Sequence, residues 1–190
     1  MYFLLFNFGK IYFLKKVWIG LAVLVVLFGI AFIYLNERNR SLSPMGEAKF
    51  SNENVTATIL YSRSSVRGRL IFGTKEQEAL VPFGEYWRFG ANESTEIEIN
   101  AAFKVGATEL EAGKYKIYAI PGPETFEVRF SKDLGKWGYS EPDYALDVAK
   151  INAETATLPE SVEQFTINME ESANGLNIYS DFDKTRIIIQ

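Results

Sequence analysis

Three arginines, Arg63, Arg67 and Arg69, fall within seven residues of the stretch YSRSSVRGRLIFG (61–73), in a chain whose net charge is −4. A guanidinium is a planar, permanently charged fork that matches a carboxylate or a phosphate. The next distinctive stretch, LVPFGEYWRFGANEST (80–95), again sets aromatic residues beside Arg, with Gly and small polar residues around them. Tyr and Trp offer faces on which a sugar ring, a base or another Arg can stack. Asn92 and Glu93 add an amide that both donates and accepts, and a carboxylate. Tyr61, Ser62, Arg63, Arg67, Arg69, Trp87, Arg88, Asn92 and Glu93 together could line a site for a small polar or anionic ligand. A plainer reading of the same residues stands beside it. The arginines then pair with acids on adjacent strands, Trp87 belongs to the core, and Gly68, Gly73, Gly84 and Gly90 serve turns.

Several chemistries are closed by composition. The chain has no Cys and no His. That excludes thiolate nucleophiles, Ser-His-Asp triads, disulfides and Cys/His zinc sites. The sequence contains no S-x-x-K pattern, so a Ser-Lys hydrolase has no support. Glycoside hydrolysis asks only for two carboxyls about 5–10 Å apart. Glu85, Glu93, Glu141 and Asp143 are candidates, with Glu93 leading as acid or base. SDFDKT (180–185) has two Asp spaced as in a calcium loop, but it lacks the Gly and closing Glu, so it reads as a hairpin turn. No cofactor and no metal are expected. The reading favours a non-enzymatic binding or envelope-structural module, with a carbohydrate-active hydrolase using paired carboxylates as the alternative.

These residues need a scaffold. Apolar residues make up 47% of the chain and aromatics 15%, enough for a sizeable core. Val17–Leu35 runs 19 residues without a charge. As a helix it would be roughly 28 Å long, close to the thickness of a bilayer's hydrocarbon. Trp18 and Tyr34 sit near its ends, where amphipathic rings favour the interface. A cleavable signal peptide is the rival, but no A-x-A site follows Leu35, so an uncleaved signal anchor is expected. Lys10, Lys15 and Lys16 precede the span, and Arg38 and Arg40 follow it. The bias places the N-terminus in the cytoplasm and the rest outside, single-pass, in the inner membrane with a periplasmic domain. Removing those three lysines from the 20 basic residues leaves 17 against 24 acidic ones, a net −7 for residues 36–190. That balance argues against a nucleic-acid partner.

The expected organisation is a hydrophobic, basic segment over 1–16, the membrane span over 17–35, a linker over 36–50 and the outer domain over 51–190. Period-two alternation dominates that domain. Val55, Ala57, Ile59 and Tyr61 share a face, as do Thr95, Ile97 and Ile99; Phe126, Val128 and Phe130; and Phe165, Ile167 and Met169. Turn signals fall between these runs, including Asn174-Gly175. EPDYALDVAKINAET (141–155) reads as mostly strand. The pattern predicts an all-β, antiparallel, two-layer sandwich of nine or ten short strands, jelly-roll-like, behind one transmembrane helix. The long loop KDLGKWGYSEPD (132–143), with Trp137 and Tyr139, reads either as functional or as an aromatic lid over the core.

Four ordered phrases carry a resemblance: YSRSSVRGRLIFG, LVPFGEYWRFGANEST, LEAGKYKIYAIPG and KWGYSEPDYALDV. Over roughly residues 50–190 the chain resembles the domain-of-unknown-function family numbered 2911, found mainly in Bacteroidetes and related bacteria behind a secretion signal. Ser64 stands where that family commonly has Pro, and Phe89 where it commonly has Thr. The resemblance implies an exported, β-rich domain in a bacterial envelope. It brings no activity and no catalytic residue, and it places Tyr61, Ser62, Arg63, Arg67, Arg69, Trp87, Arg88, Asn92 and Glu93 inside the family's recurring phrases. The expected partners are the membrane, through the helix, and a small polar or anionic ligand or a glycan.

Overall fold

A computed structural model describes residues 2–172 and 175–190 of the chain. The described residues divide into two units, meeting between Ser41 and Leu42. The first unit is helical. Helix α1 covers Tyr2–Leu42, roughly 62 Å at the usual rise. Its segment Tyr12–Leu42 is long and apolar enough to cross a membrane, a property that a signal sequence shares. Trp18, Leu24, Phe28 and Phe32 are all exposed along it. The stretch expected to be a linker is instead shared between two elements. Glu37 to Leu42 continue the helix, and a strand begins at Met45. Glu, Arg and Leu are good helix formers, and Pro44 is the first residue that forbids continuation.

The second unit is all-β and its main sheet is antiparallel, as the alternation predicts. Its main sheet joins seven strands: β1 (Met45–Ser51), β2 (Thr56–Ser62), β5 (Thr95–Ile99), β8 (Gly113–Pro121), β9 (Thr125–Ser131), β10 (Asp147–Ser172) and β11 (Gly175–Ile189), in that order. Two small pairs accompany it. Strands β3 (Phe72–Gly73) and β4 (Val81–Pro82) are parallel; β6 (Phe103–Val105) and β7 (Thr108–Leu110) form a hairpin. A 3₁₀ turn at Tyr144–Leu146 leads into β10.

The main sheet is curled, and β10 closes it. This strand has 26 residues, far more than the core is wide. Its first half pairs with β9. Its register against β11 then slips between Thr157 and Thr166, where Pro159 lacks a donor and Asp183 takes a left-handed φ of 54°. Within this irregular stretch, β10 meets the chain that follows β2. Val66 N–H donates to Glu163 O at 2.8 Å, and Phe165 N–H donates to Ser64 O at 2.8 Å. The two walls of the sheet therefore face each other across one core.

That core is built from the alternating inward residues. Ala57, Ile59, Ile97, Ile117, Val128, Phe130, Phe165 and Ile187 are all inaccessible to solvent. Trp87 lies at its centre, 5% exposed. Its ring meets Phe72 and Phe165 edge-on at 5.3 Å each and tilts against Phe89 at 4.9 Å. Its backbone exchanges two hydrogen bonds with Ala119, at 2.8 and 2.9 Å. The Asn174-Gly175 turn signal includes residue 174, which lies outside the described residues; Ser172 pairs with Gly175 across it.

Candidate functional site

The Arg-rich stretch is a clasp across the closure of the sheet. Arg67 and Gly68 turn the chain with φ of 50° and 67°. Arg67 N–H donates to Glu163 Oε1 at 3.0 Å, and its Nη2 donates to Leu42 O at 2.9 Å. Arg69 folds back on the same turn, giving Nε–H to Val66 O at 3.1 Å and Nη2–H to Ser65 O. Arg63 Nη2 donates to Thr166 Oγ1 on β10 at 3.0 Å. Tyr61 points inward: its hydroxyl accepts Ile167 N–H at 3.1 Å, and its ring meets Phe165 edge-on at 5.7 Å. Gly46 on β1 makes room for both side chains. A Cβ there would stand 2.8 Å from Tyr61 Cζ and 2.9 Å from Arg63 Cγ.

The second stretch receives a cover formed by residues 132–146. Glu93 bridges Trp137, and Gly138 N–H donates to Asn92 O at 3.1 Å. Ser94 Oγ donates to Lys136 O at 2.8 Å, and Tyr86 Oη donates to Gly138 O at 2.9 Å. Gly138 is required by this contact, since a Cβ would lie 2.7 Å from Asn92 O. Arg88 lies half-buried beside the cover, its guanidinium 5.5 Å from the ring of Tyr139. Burial pulls the Arg88 guanidinium below its ordinary value, against the pull of Tyr86 and Tyr139. Burial likewise pushes Tyr86 up to about 12.

Where the cover meets the outer face of β2 and β5, it leaves an open groove of about 320 Å³. Leu60 and Met45, both exposed, supply an aliphatic floor. Trp137, 45% exposed, supplies an aromatic wall. Glu93, Ser94, Glu96 and Lys136 supply polar groups. Ser62 Oγ donates to Glu93 Oε2 at 3.3 Å from behind. Glu96 pairs with Lys114 at 2.8 Å, and Lys136 with Asp133 at 2.9 Å. An apolar floor, one indole face and two carboxylates suit a ligand that has both a flat apolar side and hydroxyl or ammonium donors.

A family model described as a protein of unknown function (DUF2911) matches residues 43–190. The chain belongs to that family. The match begins directly after helix α1, so the DUF2911 part is the strand-rich unit with its clasp, cover and groove. No curated protein matches the chain, and no solved structure matches it.

Within the DUF2911 unit, the nine residues singled out from the sequence are divided rather than gathered into one pocket. Tyr61 and Glu93 border the groove, with Ser62 bonded to Glu93. Asn92 and Arg88 stand where the cover docks; Asn92 Nδ2 donates to Ser43 O at 3.3 Å. Arg63, Arg67 and Arg69 belong to the clasp, and Trp87 to the core. Sequence reasoning passed over Leu60, Met45, Ser94, Glu96 and Lys136. Glu96 had a usable signal, because the alternation in STEIEIN turns it outward. Trp137 was visible in the long loop, though not as a wall. The two aspartates of SDFDKT serve the fold: Asp181 takes a paired contact from Arg186 at 2.8 and 2.7 Å, and Asp183 accepts from Ser161 Oγ at 2.7 Å. Among the described residues, no three Asp or Glu side chains gather as metal ligands.

Proposed function

We propose that this chain is a membrane-anchored binding module that seats a small, hydroxylated ring, such as one unit of a glycan, against Trp137. Helix α1 is the anchor in this reading, held in the inner membrane with the strand-rich unit on the periplasmic side. The lysines before the apolar stretch support that orientation. The single observation that carries the ligand class is the groove, with Trp137 as wall, Leu60 as floor and Glu93 and Glu96 as acceptors. A sugar ring presents one apolar face and a rim of hydroxyl donors, which this lining complements. A small anion is served less well. The clasp arginines turn donors to main-chain carbonyls and to Thr166, with Arg63 Nε buried and unpartnered, and the groove itself carries two carboxylates.

Trp137→Ala tests the reading in full-length protein held in lipid nanodiscs, with binding measured against a panel of oligosaccharides. Loss of the indole face should weaken capture about tenfold or more, equivalent to about 1.4 kcal/mol. The melting temperature should stay near wild type, because the ring is only half-covered. Unchanged capture by the variant would remove the groove as the seat. The presence of Glu93 and Glu96 in one groove also supports the hydrolytic alternative. Turnover of a bound glycan that disappears in Glu93→Gln would establish it, and turnover that survives would remove that assignment.

A further inference from the structure

Lys116 occupies the outward face of β8, yet its side chain is fully enclosed, 0% exposed. Its Nζ has no hydrogen-bond partner. The groups around it come from four elements. Tyr86 lies with its ring centroid 5.7 Å from Nζ; Glu96 stands directly opposite on β5; Asp133 and Lys136 come from the cover; Asp147 begins β10. Each of the three carboxylates already has another partner, although Asp147 Oδ1 is buried without one. Glu96 holds Lys114 at 2.8 Å, Asp133 holds Lys136 at 2.9 Å, and Asp147 holds Arg129 at 2.9 Å and Tyr118 at 2.6 Å. Lys116 is therefore a buried amine that makes no direct ion pair or hydrogen bond with them. Desolvating an unpaired ammonium in such a place is costly, which favours loss of its proton. Burial lowers its basicity, against the opposing pull of Asp133, Glu96 and Asp147.

We propose that Lys116 is a sequestered amine nucleophile that condenses with small aldehydes when the cover over residues 132–146 lifts. In its neutral form, which burial favours, the amine has a free lone pair that can attack carbonyl carbon. The lone pair forms a C–N bond to the aldehyde carbon. The carbon–oxygen bond then breaks, the oxygen leaves as water with the two protons from nitrogen, and a C=N bond remains. The way in is through the cover. Its ties to the rest of the unit include the Ser94–Lys136, Tyr86–Gly138 and Gly138–Asn92 hydrogen bonds, and it contains Gly135 with φ of 74°. This proposal does not depend on what the Trp137 groove binds.

The test is reductive trapping. Full-length protein in nanodiscs is incubated near neutral pH with glycolaldehyde and cyanoborohydride, and the modified lysines are mapped by peptide mass spectrometry. Lys116 should be marked well ahead of Lys49 and Lys75, whose side chains are 67% and 77% exposed. Ser94→Ala removes one tie of the cover and should raise marking of Lys116 several-fold while leaving Lys49 unchanged. The proposal is overturned if Lys49 and Lys75 are marked while Lys116 is not. It is equally overturned if Lys116 reacts only in urea, or if Ser94→Ala leaves its rate unaltered.

Discussion

Replacing Lys116 with Met should make the protein more stable, and by an amount that depends on pH. Met keeps the length and flexibility of the buried stem and removes the amine that has no partner. An unsatisfied buried polar group costs about 1–3 kcal/mol, and exchanging a buried charge for a well-packed apolar side chain is often stabilising by about 1–4 kcal/mol. The expected gain at neutral pH is therefore about 1–3 kcal/mol, or about 2–4 °C in melting temperature for each kcal/mol in a unit of this size. The pH dependence follows from linkage. In the unfolded chain Lys116 has its ordinary value of 10.5, while in the folded protein burial holds it lower. Between those two values the unfolded state binds more protons, so wild-type stability rises with pH. Below the lowered value the ionic cost is present in full; above 10.5 both states are neutral and it is gone. The advantage of the Met variant should thus shrink as pH rises from about 7 to about 10. Urea unfolding followed by Trp fluorescence, run on both proteins across that range, measures the difference and cancels titrations common to both. A Met variant that is less stable throughout would refute the reasoning, and so would a gap that does not change with pH. Either result would mean that the amine has a partner in the folded protein.

Two further substitutions probe the scaffold. Trp87→Ala removes the ring around which Phe72, Phe89, Phe165 and Phe182 are arranged, and should destabilise by about 3–5 kcal/mol in the same urea assay; a loss below about 1 kcal/mol would show that the core collapses around the gap. Tyr61→Phe keeps the ring on Phe165 but leaves the buried Ile167 N–H without its acceptor, for about 1–3 kcal/mol; amide exchange at Ile167 should accelerate, and an unchanged rate would show that another group takes over the bond.

The strands were legible where one face alternates cleanly. β2, β5 and β9 read directly from TATILYS, TEIEI and TFEVRFS, because period two needs only burial on one side. The closure of the sheet was hidden. β10 keeps its strand character through Pro159 and the slip, so the sequence shows short strands where the chain runs on continuously. The full extent of helix α1 was hidden for a related reason. Polar residues at 36–41 suggest a linker, but polarity does not stop a helix; Pro44 does. The arginine clasp exposes a different limit. Composition marks Arg63, Arg67 and Arg69 as unusual, but the spacing of guanidinium groups does not say whether a ligand or a backbone carbonyl receives them. Only the left-handed turn at Arg67 and the neighbouring edge of β10 decide that.

Lys116 shows why the candidate chemistry lies on the outside of this sheet. The inward face is consumed by aromatic packing around Trp87. Outward positions on β5, β8 and β9 carry Glu96, Lys116, Tyr118 and Arg129, the polar residues expected on a solvated face. The cover changes their surroundings without changing the strands beneath. Under it, Lys116 and Tyr118 lose all contact with solvent. Arg129 is drawn into a network: burial alone would lower its guanidinium, but hydrogen bonds to Glu127 and Asp147 outweigh burial and hold it above its ordinary value. The same segment that encloses the amine also brings Trp137 to the groove. Strand periodicity is a local property, whereas the dielectric around an outward residue is set by whatever chain later folds across it. A sheet whose inner face is full can thus acquire both a concave groove and an enclosed amine from one added loop, with the strand pattern that builds the core left intact.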